Sequence, residues 1–244
     1  MTLRLFVPAD LAAAPLTLGK EQSHYVANVM RARPGDDVLL FNGRDGEWRG
    51  RLDNVAKNAV TVAVEAQTRP QAAEPDLWLL AAPIKKDRVD LVAEKAAELG
   101  ASALWPVFTR RTVMSRVNSE RLAAHMVEAA EQCERLTVPE VMEPAPLDKA
   151  LAGWDAARTL LFLDESGGGA PLAEVLNSLP AGPLAVLVGP EGGFAPEERA
   201  LLARLPFARP VGLGPRILRA ETAAIAALAI VQAVRGDWAR PPRG

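Results

Sequence analysis

The chain has 244 residues, of which 49% are hydrophobic and 24% charged, with a formal net charge of -2. That is enough apolar content for one large or two modest globular cores, and the slight acidic excess argues against nucleic-acid binding by bulk charge. Any such role must rest on how the charge is distributed. Cys133 is the only cysteine, which excludes an internal disulfide, and His24, His125 and Cys133 lack metal-ligand spacing. Pro8 and Asp10 interrupt the apolar start, and no cleavage pattern follows it, so no signal peptide is expected. The most apolar stretch, Ala223 to Val234, is shorter than the ~20 residues of a spanning helix. These features predict a cytoplasmic protein with no membrane partner.

Residues 1–66 read as a small β-rich unit. Leu3 to Val7 is a short strand, and Gln22 to Arg31 has the spacing of a helix. The strand Val38 to Phe41 runs into NGRDG, Asn42 to Gly46, whose Asn-Gly and Asp-Gly pairs favour a hairpin turn. EWRGRLDNV and AVTVAVEA then form a strand pair, with its turn at Lys57–Asn58. The polar stretch Thr68 to Pro75 carries two prolines and marks a domain boundary, giving domains 1–70 and 71–244.

Beyond the boundary the pattern becomes α/β. LWLLAAP, ALWPVF, TLLFLD, PLAVLVG and VGLG read as strands. Helices alternate with them over Lys85 to Leu99, Ser119 to Leu136, PLAEVLNSL, PEERALLARL and Ala220 to Arg235. Gly100 falls at a helix C-cap, and Pro196 suits a first helical turn. The strands are apolar throughout rather than alternating, which predicts a parallel sheet covered on both faces.

Ligands of such sheets sit beyond the carboxyl ends of the strands. Three strand ends carry unusual loops: LFLDESGGGAP, VLVGPEGGFAPEE and VGLGPRILRAETAA. The second packs Gly189, Pro190, Glu191, Gly192 and Gly193 between strand and helix, where glycine permits close backbone approach. It lacks the Lys and Ser/Thr of a phosphate loop, and Glu191 repels phosphate but suits a cation or a ribose hydroxyl. In the third, Arg219 and Glu221 fall where the last helix begins. Glu221 favours a helix N-terminus in any case, whereas Arg219 is unfavourable there and needs an anionic partner or a ligand.

Together, GPEGG after an apolar strand and LGPRILRAETAA opening the final helix resemble the 16S rRNA uracil-N3 methyltransferase family of the SPOUT superfamily. EKAAELGA (94–101), TRRTV (109–113) and EAAEQCERLTVPEV (128–141) resemble further family segments. HYVANVMRARPGDDVLLFNG (24–43) is similar to its PUA-like RNA-binding domain. Two positions depart from the pattern: Ala220 stands where the family usually has Thr, and Glu94 replaces a frequent Gln.

The resemblance implies a small N-terminal PUA-like barrel and a parallel-sheet SPOUT domain containing a deep trefoil knot, an exception to the general absence of knots. It implies S-adenosylmethionine bound in the cleft of the three loops, a homodimer with its site near the interface, and 16S ribosomal RNA, in an assembled small subunit, as substrate. Leu163, Leu187, Gly189, Pro190, Glu191, Gly192, Leu213, Gly214, Ile217 and Leu218 are then the expected cofactor contacts. Arg219 is expected to stabilise charge on the uracil, and either Glu191 or Glu221 to accept the proton or orient the base. Arg31 and Arg33, grouped with Arg44, Arg49 and Arg51, and Arg111 and Arg135, grouped with Arg110 and Arg116, are expected to contact RNA phosphates. Arg135 also lies four residues after Glu131, the spacing of an ordinary helical ion pair. Ribose 2′-O-methylation, non-catalytic RNA binding and nucleotide binding unrelated to RNA are the competing functions, the last disfavoured by the missing phosphate-loop lysine.

Overall fold

The computed structural model describes residues 2–56 and 59–240, which fall into two compact units. The turn expected at Lys57–Asn58 lies outside the described residues. The first unit comprises residues 1–73 together with Ala130–Val138, and the second takes the remainder. The boundary therefore falls close to the expected 70, but the first unit also takes in a later segment.

The first unit contains β1 (Leu3–Phe6), β2 (Pro15–Thr17), α1 (Lys20–His24), β3 (Asp37–Phe41), β4 (Glu47–Ala56) and β5 (Ala59–Arg69). They form a mixed sheet in the order β1-β3-β4-β5-β2, parallel only between β1 and β3. Val60, Val62 and Val64 of β5 are buried at every second position, the period that puts one face of a strand into a core. They pack with Leu5, Val38, Leu40 and Leu52. The expected turn at NGRDG forms with Gly43 and Gly46 at positive φ. Asp45 accepts Leu11 N at 2.9 Å and Asn42 Nδ2 at 2.7 Å, and these bonds hold its carboxyl below the usual carboxylate range. The helix expected over Gln22 to Arg31 is split. After α1 the chain continues as a π-helical turn, Tyr25–Val29, closed by Met30 N donating to Tyr25 O.

Arg4 explains why Ala130–Val138 belongs here. Its buried guanidinium pairs with Glu47 at 2.9 Å, lies over the Phe41 ring and donates to the carbonyls of Ala130 and Arg135. Phe41, Ala130 and Leu136 form a small cluster of their own.

The second unit runs β6 (Leu77–Ala81), α2 (Lys86–Glu98), β7 (Ala103–Phe108), α3 (Ser119–Gln132, its last residues in the first unit), β8 (Glu140–Val141), β9 (Ala145–Pro146), α4 (Leu147–Ala152), β10 (Thr159–Leu163), β11 (Ala170–Pro171), α5 (Leu172–Ser178), β12 (Leu184–Val188), α6 (Pro196–Arg204), β13 (Ala208–Gly212) and α7 (Ala220–Arg235). The sheet has the order β11-β13-β10-β12-β6-β7-β8, with β9 also pairing β7, and every ladder is parallel. All five residues of β12 are buried, as a central parallel strand requires. Gly100 has φ +77, and Ala101 N donates to Ala96 O, so α2 ends in the expected glycine cap. The helix expected to reach Leu136 stops at Gln132, and Glu134 takes φ +59.

Because β13 sits between β10 and β11, the loop 164–169 joining those two strands crosses over the end of β13. A Cβ at Gly169 would lie 2.5–2.7 Å from the backbone of Val211, so only glycine allows this crossing. The threading that the resemblance implies requires such a crossing. α7 buries Ala224, Ala227, Leu228 and Val231, and Gln232 Nε2 donates to the carbonyls of Leu99 and Gly100. No helix of the described residues is long and apolar enough to cross a membrane.

Candidate active site

Strands β13, β10 and β12 are neighbours, so the three loops leaving their carboxyl ends converge. They enclose a cleft of about 620 Å³, within the size range of small-molecule sites. In the loop after β10, Asp164 Oδ1 accepts Ser166 N at 3.0 Å and Ser166 Oγ at 2.6 Å. In the loop after β12, Gly193 N donates to Pro190 O at 2.8 Å and Gly193 has φ +65. Fully buried Phe194 supports that turn, its ring 3.2 Å from where a Gly189 Cβ would stand. Glu198 fixes the start of α6: its carboxylate accepts Ala195 N and Arg110 N, each at 2.8 Å. The loop after β13 turns at Gly214, φ +95, and delivers Arg219 to the N-cap of α7.

Eight of the ten expected cofactor residues line the cleft: Leu163, Gly189, Pro190, Glu191, Leu213, Gly214, Ile217 and Leu218. Two do not. Leu187 was expected to contribute its backbone, and its side chain is fully buried inside β12 in the sheet core. Gly192 faces Arg111, whose Nη1 donates to Gly192 O at 2.6 Å. Arg219 lines the cleft, is exposed, and makes no side-chain hydrogen bond or ion pair among the described residues. Glu191 also lines it. Glu221 does not: its side chain is only 12% exposed, its Oε1 is 3.5 Å from Arg88 and its Oε2 is buried without a hydrogen-bond partner among the described residues.

Arg88 was not singled out from the sequence, although the signal was present. It lies in the first turn of α2, where a cation is as unfavourable as Arg219 is at α7. It also stands 3.9 Å from Glu191. Asp164, Glu165 and Arg216 are further cleft residues that no motif flagged as contacts.

The arginines expected to meet RNA divide by environment. Arg31, at φ +51, and Arg33 are exposed, and their side chains have no ion pair among the described residues. Arg44, Arg49 and Arg51 are paired with Asp10, Glu65 and Asp37. Arg111 is exposed but braces the Gly192 carbonyl. Arg135 corrects the expectation. It is buried, at 6% exposure, where the chain closes around Arg4, so it has no surface to offer a phosphate. No cluster of metal-ligating side chains occurs among the described residues.

A family model described as an RNA methyltransferase domain matches residues 72–232, and one described as an RNA methyltransferase PUA domain matches residues 18–65. The chain belongs to the RNA methyltransferase family. Among curated members it is similar to the ribosomal RNA small subunit methyltransferase E of Rickettsia conorii, 36% identical over 86% of this chain and 85% of the relative. The Synechocystis protein of the same name is 32% identical over 96% and 78%. Among solved structures, the methyltransferase E of Neisseria gonorrhoeae bound to S-adenosyl methionine superimposes with a TM-score of 0.89. It is 27% identical, over 98% of this chain and all of that one. A putative methyltransferase of Legionella pneumophila, also with bound S-adenosylmethionine, gives 0.87 at 30% identity, over 97% of this chain and 99% of that one. The second unit thus has the fold of the family's SPOUT domain and the first is its PUA domain.

Proposed function

We propose that this chain transfers a methyl group from S-adenosylmethionine to N3 of a uridine in 16S ribosomal RNA. The observation that carries the reading is an exposed Arg219 guanidinium, without a partner among the described residues, on a glycine-lined cleft that also presents Glu191. The cleft suits the cofactor: glycines let backbone groups approach adenine and ribose, and the carboxylates of Asp164, Glu165 and Glu191 suit hydroxyls and positive charge. Leu213, Gly214, Ile217 and Leu218 would hold it on one side and Gly189 and Pro190 on the other. S-adenosylmethionine supplies an already activated methyl group when bound.

The protein must then align the acceptor nitrogen and remove its proton, because a neutral imide nitrogen is a poor nucleophile. Glu191 accepts that proton; of the two candidate glutamates it is the one on the cleft. The resulting negative charge spreads onto the uracil carbonyl oxygens, where Arg219 stabilises it. Arg31 and Arg33 hold the RNA backbone through the PUA domain. The working form is a homodimer acting in the cytoplasm on the small subunit. Ile225, Ala226, Ala229 and Ile230 support this, as a half-exposed apolar stripe on α7 opposite its buried face.

Nucleoside mass spectrometry of 16S ribosomal RNA from cells with and without the chain tests the reading. Loss of N3-methyluridine on deletion, restored by the purified protein with S-adenosylmethionine, is expected. Loss of a 2′-O-methylated nucleoside instead would overturn it.

A further inference from the structure

We propose that Arg88 is a positioning residue for methyl transfer, fixing Glu191 at the cleft through a chain of ion pairs anchored on Glu221. The inference rests on Glu191 being the proton acceptor. Three separate segments meet at this guanidinium. Arg88 comes from the first turn of α2, Glu191 from the loop after β12, 3.9 Å away, and Glu221 from the first turn of α7, 3.5 Å away.

The two glutamates are not equivalent. Glu221 is largely buried, lies off the cleft lining, and keeps one oxygen with no hydrogen-bond partner among the described residues. A carboxylate so placed needs a cation, and Arg88 is that cation. Glu191 is 43% exposed, lines the cleft and stands on a turn flanked by Gly189, Gly192 and Gly193. Such a turn leaves a free glutamate many orientations, and the far side of the Arg88 guanidinium narrows them. The planar, multi-donor guanidinium can face two carboxylates at once, which an ammonium does less well. Glu221 is therefore the anchor and Glu191 the working group. The same chain links α7, whose N-cap is Arg219, to the loop that carries Glu191, so cation and proton acceptor share one frame.

Single-turnover methylation with saturating cofactor and RNA tests this in Arg88→Met, Glu191→Gln, their double variant and Arg88→Lys. Loss of alignment of about 1 Å costs up to roughly 10²-fold, so Arg88→Met is expected to slow transfer by about 10- to 100-fold. Arg88→Lys recovers part of that loss, and cofactor affinity by calorimetry stays within a few-fold. The double variant is expected to be no slower than Glu191→Gln alone, because Arg88 acts through Glu191. Losses that multiply in the double variant overturn the proposal while leaving Glu191 as the base. A wild-type rate for Glu191→Gln overturns both. Arg88→Met leaves Glu221 buried and unpaired, so the fold is protected by repeating the comparison in Arg88→Met/Glu221→Met, which removes both charges together. With Glu191→Gln added there, the rate is again expected to be no slower than in Glu191→Gln alone.

Discussion

Arg219→Ala is the perturbation that bears most directly on catalysis. The side chain is exposed and touches no carboxylate among the described residues, so its removal leaves packing intact and changes folding stability by no more than about 0.5 kcal/mol. Its effect on the reaction is larger. A unit charge about 4 Å from an oxygen that gains charge interacts by up to roughly 4 kcal/mol at the effective dielectric of a protein surface. Removal of one preorganised donor typically costs ~2.7–4 kcal/mol, or about 10²–10³ in rate. Single-turnover methylation with cofactor and RNA both saturating isolates that step from binding. Arg219→Ala should then be slower by that factor, with cofactor affinity near wild type. Arg219→Lys should recover only part, since its point charge cannot bridge two acceptors. A wild-type rate for Arg219→Ala would remove this residue from the mechanism.

Three further outcomes are expected. Gly193→Ala forces a Cβ into a left-handed backbone, at about 1–2 kcal/mol, while the neighbouring Glu165 carboxylate can swing aside. If the free loop relaxes out of shape, S-adenosylmethionine should bind about 5- to 30-fold more weakly by calorimetry, and an unchanged affinity would refute the cradle. Arg4→Met takes the nearer arginine from buried Glu47, leaving it Arg69 at 3.5 Å and the Thr68 hydroxyl, and should destabilise the protein by about 1–3 kcal/mol in urea unfolding; an unmoved midpoint would show that the pair is dispensable. Ile230→Glu, on the half-exposed stripe of α7, should give monomers of normal stability in sedimentation, and an intact dimer would exclude that face. Ala224 and Ala227 cannot serve for this test, because both are buried within their own subunit.

Apolar strand composition was enough to place the parallel sheet, since β6, β7, β10 and β12 have no alternating face to confuse with a solvated strand. The three glycine loops were legible for a related reason: the backbone at Gly193 and Gly214 adopts positive φ, which composition announces. What could not be read depended on distant partners. Nothing near Glu134 in sequence signals its left-handed turn, and Arg135 is buried because Arg4, far back in the chain, gathers its carbonyl. Tyr25–Val29 has helical periodicity, but its π geometry is a detail of hydrogen-bond length that side-chain spacing does not encode. Arg88 carries a local hint, a cation in the first turn of a helix, but its partners Glu191 and Glu221 lie more than a hundred positions later and only the fold brings them to it.

The return of Ala130–Val138 to the first unit has a consequence for biosynthesis. Domains commonly fold in order as the chain emerges during translation. Here the PUA unit is not complete on its first 73 residues: its main core lies within them, but Phe41 lacks its Ala130 and Leu136 neighbours and the Arg4 guanidinium lacks two of its carbonyl acceptors. Those arrive only after β6, α2, β7 and most of α3 have been made. The nascent chain must therefore carry an unfinished RNA-binding unit while roughly a quarter of the protein is added. A synonymous-codon pause placed before residue 130 should accordingly lower the yield of native protein more than the same pause placed after residue 138.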